Sequence, residues 1–292
     1  MRSAAPLLVV LVLAGCRPVG DRVVVGSKNF SEQVLLGEIV AETIEKKTGL
    51  RAERRLNLGG TFVCDRAVRA GEIDVYVEYT GTAYTAILKR PPTADAKAVL
   101  ADLRTEYGKA GLEWAAPLGF ENTFALVVRG ADAERLGLTK ISDLAKHPEW
   151  RAAFGYEFME RADGFPGLAK TYHLGFREPP RVMDLGLLYR ALVDGQADVV
   201  AGNSTDGLIK SLGLRVLEDD RHYFPPYEAA PVVRRALLDR HPEARVALDS
   251  LGGKITAEEM RRLNYRVDGE RVSAEEVARE FVSALAATGP KK

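Results

Sequence analysis

Apolar and polar positions recur along this chain on two periods, one of two residues and one of three to four, the marks of strands and amphipathic helices. Val23 to Gly26 forms a short buried-strand pattern, and Ser27-Lys28-Asn29-Phe30 is the loop after it. Ser31 then reads as an N-cap with Glu32 in the first turn. The helix "EQVLLGEIVAETIEKKTG" follows, apolar at Val34, Leu35, Ile39, Val40 and Ile44, with Lys46, Lys47 and Gly49 suited to its end. "RAERRLNLGG" reads as a strand ending in a glycine turn, "TFVCDRAVRAG" as a helix, and "GEIDVYVEY" as a third strand. Strand, helix, strand, helix, strand predicts an α/β fold with a mostly parallel sheet. Ligands of such sheets collect beyond the carboxyl ends of strands. Lys28 and Tyr79 both stand at such ends.

The second half echoes the first. "LYRALVDGQADVVAGNSTDG" runs from a helix to Gly195, Asp198 and Val199, then to Asn203, Thr205 and Gly207. The first half runs from a helix to Gly71, Asp74 and Val75, then to Tyr79, Thr80 and Gly81. The matching steps predict two similar lobes, with Asn203 standing where Tyr79 stands. "FENTFALVVRG" reads as a strand between the halves, preceded by Asn122-Thr123. "HYFPPYEAAPVV" reads as an extended connection back to the first lobe, because Pro225-Pro226 fits neither a helix interior nor a central strand. From Arg234 to about Ala287 the pattern is helical, with "TAEEMRRLNYRV" and "SAEEVAREFVSALA" each opening on Thr or Ser ahead of glutamates.

Composition narrows the possibilities. At 292 residues, 46% hydrophobic and 28% charged, the chain has the make-up of a globular protein with a large core. Its 41 Lys and Arg balance 41 Asp and Glu, so it lacks the basic excess of a nucleic-acid binder. Arg2 precedes the apolar run "PLLVVLVLAG", too short to span a bilayer but of signal-peptide length. Leu13-Ala14-Gly15-Cys16 is similar to the bacterial lipobox, in which the cysteine is acylated; an ordinary cleaved signal is the alternative. The lipobox reading places the folded part outside the cytoplasmic membrane, tethered by lipid at Cys16. Cys64, the other cysteine, reads as a buried small hydrophobe on its helix.

Enzyme signatures are missing from the sequence: no Gly-x-Ser-x-Gly, Walker loop, Gly-x-Gly-x-x-Gly or His-Glu-x-x-His occurs. The four histidines show no metal-ligand spacing. Glu218-Asp219-Asp220 reads as a solvated acidic turn rather than a cation site. Recognition residues remain. Lys28 lies one turn before a helix N-terminus, where an ammonium and free backbone N–H groups make an anion site, although spacing alone favours an ordinary surface lysine. Tyr79 and Tyr227 are aromatic residues at chain ends, outside any amphipathic stripe. Ring faces attract a quaternary ammonium at about 0.5–2 kcal/mol per contact. An anion subsite beside an aromatic wall fits a zwitterion.

At this point "VVVGSKNFSEQVLLGEIVAETIE", "RRLNLGGTFVCDRAVRAGEIDVYVEYTGTAY", "ERADGFPGLAKTYHLGF" and "STDGLI…LEDDRHYFPPYEAAPVV" carry a resemblance. Together they resemble the OpuAC-like substrate-binding proteins of ABC importers for glycine betaine, choline, carnitine and related osmoprotectants, from about Val23 to Glu280. The resemblance implies a two-lobed periplasmic-binding-protein fold, of the type II or Venus-flytrap kind, hinged so as to close on its ligand. Residues 1–20 would be signal peptide, lipobox and linker. Residues 21–121 with 228–292 would form one discontinuous lobe, and residues 122–227 the other.

The resemblance also implies site positions. Lys28 of "SKNF" and Arg161 of "ERADG" match cations that hold a carboxylate, and Thr82 of "EYTGT" matches a hydroxyl bonded to the same group. Tyr79 and Tyr227 match walls of an aromatic cage, which Asn122 would line through its backbone. Two positions depart from the family pattern: Phe124 and Asn203 replace tyrosines. Phe124 keeps a ring face, whereas Asn203 removes a wall and adds an amide. The implied function is an extracytoplasmic, monomeric solute receptor that passes a quaternary-ammonium zwitterion to an ABC permease without cofactor or metal. A larger betaine such as ergothioneine is the alternative ligand, and a sensor or enzyme reusing the scaffold the alternative class. Within "EYTGT", Gly81 is read as the turn residue, and Glu78, by strand alternation, as facing away from Tyr79.

Overall fold

The computed structural model describes residues 22–288, so the lipobox and Cys16 lie outside the described residues. Ten strands run in chain order: β1 (Arg22–Lys28), β2 (Arg51–Gly59), β3 (Val75–Tyr79), β4 (Leu112–Trp114), β5 (Phe124–Arg129), β6 (Ala152–Phe154), β7 (Arg181–Val182), β8 (Val199–Asn203), β9 (Leu214–Val216) and β10 (Ala229–Arg234). They build two five-stranded sheets, ordered β2-β1-β3-β10-β4 and β7-β6-β8-β5-β9. In the first, β1 is parallel to β2 and β3, while β10 is antiparallel to β3 and β4. The second repeats this, with β6 parallel to β7 and β8, and β5 antiparallel to β8 and β9.

The repeat reaches individual side chains. Gly71 and Gly195 each follow a helix with positive φ, +77° and +68°, a conformation that a Cβ disfavours. Three residues on, Asp74 accepts the Val24 N–H (2.9 Å) and an Arg234 N–H (3.2 Å). Asp198 does the same with the Arg151 N–H (3.0 Å) and Arg129 (2.7 Å). Arg234 closes β10 and Arg129 closes β5. Each aspartate therefore clasps the antiparallel strand to the parallel ones. Tyr79 and Asn203 end the two equivalent strands, β3 and β8, as the spacing predicts.

Helix α1 (Ser31–Thr48) packs against β1, β2 and the C-terminal helix Ala274–Thr288, which explains its burial around most of its circumference. It starts one residue earlier than predicted: extended Phe30 holds the cap position and Ser31 is the first helical residue. Helix α2 (Thr61–Ala70) covers the other face of the first sheet, with Cys64 fully buried and its thiol pushed up to about 12 by burial. Thr256 caps the helix Ala257–Asp268 as read, its side chain accepting the Glu259 N–H. No helix among the described residues is long and apolar enough to cross a membrane.

Two chain segments pass between the sheets side by side. Glu121 and Glu228 form an antiparallel bridge, the Asn122 N–H donates to the Tyr227 carbonyl (3.0 Å), and the Ala229 N–H donates to the Phe120 carbonyl (3.1 Å). The Pro225-Pro226 connection lies in neither helix nor strand, and the acidic turn before it, exposed at Glu218, also anchors the segment. Asp219 accepts the Tyr172 hydroxyl and the backbone N–H groups of Tyr223 (3.0 Å) and Phe224 (2.9 Å). That clasp fixes the segment that carries Tyr227.

Candidate functional site

The carboxyl ends of β1 and β3 meet where the second sheet's unit faces the first. Lys28, the last residue of β1, is 3% exposed, with Nζ 2.5 Å from Glu78 Oε1 and 3.1 Å from Thr61 Oγ1. The same ammonium lies 5.1 Å from the Tyr79 ring centroid, within cation–π range. Glu78 is fully buried and also accepts from the Tyr76 hydroxyl (3.3 Å) and the Tyr79 N–H (2.7 Å). Alternation does put Glu78 on the Tyr76 face, but Lys28 spans the strand end and reaches both Glu78 and Tyr79. Burial pushes the Glu78 carboxyl up, and Lys28 offsets that only in part.

Arg161 comes from the other side, between the helices Tyr156–Glu160 and Phe165–Tyr172. It is 5% exposed and forks onto Asp163, Nε to Oδ1 at 2.8 Å and Nη2 to Oδ2 at 2.5 Å. Nη2 also donates to Thr82 Oγ1 (3.2 Å), and the guanidinium carbon stands 5.0 Å from the Phe124 ring centroid. Asp163 further accepts the hydroxyls of Thr85 (2.7 Å) and Tyr227 (2.7 Å). Burial alone would raise the Asp163 carboxyl; Arg161, Thr85 and Tyr227 outweigh it and hold the group below its usual range. Burial also works against the Arg161 charge, yet its acidic partners keep it firmly protonated.

The rings converge on these cations. Phe124, the first residue of β5, packs at centroid distances of 4.8 Å on Phe158, 6.0 Å on Phe224 and 6.1 Å on Tyr227. Asn203 pairs directly opposite Phe124 in the β5–β8 ladder, which puts both side chains on one face. Its backbone N–H and amide donate to Asp206 (2.8 and 3.5 Å). Asn122 is buried, but its N–H is committed to Tyr227 and its Nδ2 donates to Glu32 Oε1 (2.7 Å). Its backbone thus sits against Tyr227 and its side chain ties it to Glu32. Gly81 also has another reason than the expected turn. It lies in the helical segment Thr80–Thr82, where an added Cβ would meet the Pro226 carbonyl oxygen at 2.6 Å and the Tyr227 ring at 2.7 Å.

Lys28, Tyr79, Thr82, Phe124, Arg161 and Tyr227 thus form one linked cluster, with Asn122 joined to it through Glu32 and Asn203 beside Phe124. The sequence reading missed the acids that hold it together: Glu78, Asp163 and Glu32. Their signal was adjacency to Tyr79, Arg161 and Lys28, but an acid next to a site residue is too common to single out. Chemically, the Lys28 ammonium has one N–H beyond those on Glu78 and Thr61, while Arg161 Nη1 lies outside the Asp163 fork and 3.8 Å from Glu157 Oε2. Three aromatic rings stand beside them. A separate groove of about 580 Å³ runs beside the two crossing segments, lined by Glu121, Tyr223, Phe224 and Pro226; of the predicted residues only Phe124 reaches it.

Comparison with known proteins places this architecture. The carnitine transport binding protein OpuCC of Listeria monocytogenes is 35% identical over 268 residues, which cover 90% of this chain and 86% of OpuCC. The ergothioneine transport permease/ergothioneine binding protein EgtU of Helicobacter pylori is 37% identical over 266 residues. That match covers 90% of this chain, which spans 47% of the length of EgtU. The crystal structure of a glycine betaine/carnitine/choline ABC transporter protein superposes with a TM-score of 0.74 at 34% identity, covering 90% of this chain and 98% of that one. The two sheets are those of a bilobal periplasmic binding protein. The model for the substrate-binding domain of ABC-type glycine betaine transport systems matches residues 21–284, and the chain belongs to that family.

Proposed function

We propose that this protein is an extracytoplasmic solute receptor that captures a quaternary-ammonium zwitterion between its lobes and delivers it to an ABC permease. The observation that carries this reading is the meeting of Arg161 and Lys28 with the rings of Tyr79, Phe124 and Tyr227. The cations, with Thr82, take the ligand's carboxylate; the rings take its ammonium. Cation–π contacts of about 0.5–2 kcal/mol each make three rings worth a large share of micromolar binding. Residues 21–121 and 228–292 form one lobe in this reading and residues 122–227 the other, hinged at the Glu121–Glu228 bridge. Cys16 carries the lipid, and the receptor works as a monomer.

Relatives named for carnitine, glycine betaine and ergothioneine support the ligand class. Asn203, opposite Phe124, brings an amide to a face otherwise walled by rings. That observation favours including a betaine with its own polar group, such as carnitine or ergothioneine, beside glycine betaine. Titration calorimetry with glycine betaine, choline, carnitine and ergothioneine tests the proposal. At least one compound gives a saturable micromolar isotherm, and Tyr79→Ala and Arg161→Ala each weaken it tenfold or more. Flat isotherms across the panel remove the ligand class, and unchanged affinity in both variants removes the assigned roles.

A further inference from the structure

Glu32, the second residue of α1, is 2% exposed and accepts four hydrogen bonds from four separate segments. Its Oε1 takes the Tyr79 hydroxyl (2.6 Å) and Asn122 Nδ2 (2.7 Å). Its Oε2 takes the Thr205 hydroxyl (2.5 Å) and Asn264 Nδ2 (2.8 Å). Four donors on two oxygens match the acceptor capacity of an ionised carboxylate. Burial nevertheless pushes this carboxyl up, and the bonds from Thr205, Tyr79, Asn264 and Asn122 offset it only in part. The two asparagines are aimed at Glu32 at a cost, since Oδ1 of each is buried with no hydrogen-bond partner. Asn264 Nδ2 also donates to the Thr205 carbonyl (2.9 Å).

The four partners are not equivalent. Tyr79 and Asn264 belong with the first sheet, and Asn122 lies on a crossing between the sheets. Thr205 alone follows β8 of the second sheet, two residues after Asn203. One carboxylate therefore fixes a wall of the aromatic site and bonds across the interface between the two units. We propose that Glu32 is a positioning residue that couples the Tyr79 wall to closure: it orients the ring through its hydroxyl and holds the second lobe shut through Thr205. The inference rests on the reading of this cleft as a zwitterion site, and it assigns part of the ligand's residence time to the Glu32–Thr205 bond.

Thr205→Val keeps the shape of the fully buried Thr205 and removes the donor, leaving the Glu32–Tyr79 bond in place. Stopped-flow binding of whichever of glycine betaine, carnitine or ergothioneine binds the wild type is the test. A lost bond to a charged group raises the dissociation rate about tenfold or more, with association within about twofold. Thr205→Ser restores the wild-type rate. Glu32→Gln, which turns an amide N–H₂ toward donors, raises dissociation as well. A lowered melting temperature with unchanged dissociation in Thr205→Val would mean a purely structural bond and overturns the proposal. Should none of the three compounds bind, the ligand reading fails, and small-angle scattering of the protein alone decides the latch. A larger radius of gyration for Thr205→Val than for wild type supports it; equal radii overturn it.

Discussion

At Gly81 a single methyl group decides whether the Tyr227 ring can reach its place. The closest atom to an added Cβ is a backbone oxygen, that of Pro226, which cannot rotate aside as a side-chain tip would. Gly81→Ala is therefore an overpacking change, costing about 1–3 kcal/mol. Thermal denaturation registers this as a lowered melting temperature, and calorimetry as weakened ligand binding; a variant unchanged in both would contradict the packing described. Lys28 and Tyr79 were legible as candidates because motif and strand-end position both pointed to them, Thr82 and Arg161 because of their motifs alone. Glu78 and Asp163 were not, because an acid's role depends on which cation the fold brings against it. Lys28 and Glu78 are 50 residues apart, and no local pattern pairs them.

Among the elements, the two strand-clasping aspartates are the feature most open to test. Burial would raise the Asp198 carboxyl from its ordinary 3.8, but Arg151, Arg129 and the Arg151 N–H outweigh it and hold it at about 2. An acid whose native value lies below its unfolded one stabilises the fold above about 3.8, and that contribution is lost as pH falls through about 2. Asp198→Asn should thus melt well below wild type at pH 7, and the gap should narrow as pH falls from 4 toward 2. A gap independent of pH would show that the charge contributes nothing. The helix, glycine, aspartate, strand rhythm behind this clasp was readable, since it lies within one stretch of each half. The placement of β10 and β5 as antiparallel strands inside the other strands' sheets was not. Each pairs with partners fixed by tertiary packing rather than by its own alternation.

For the whole molecule, two sheets with the same strand order face each other across a site to which both contribute, joined by two crossing segments paired at Glu121 and Glu228. Thr61, the first residue of α2, links the two units directly, its N–H donating to Glu157 Oε1 at 2.6 Å. In the receptor reading proposed above, this arrangement encloses a ligand by bringing cations and rings from both sides at once, and membership of a substrate-binding family supports that reading. The most direct measurement is a crystal structure of the protein with the panel compound it binds best. The account predicts the quaternary nitrogen among the rings of Tyr79, Phe124 and Tyr227 and the carboxylate against Arg161, Lys28 and Thr82. A ligand seated elsewhere, with Tyr79 and Tyr227 turned from it, would contradict the account.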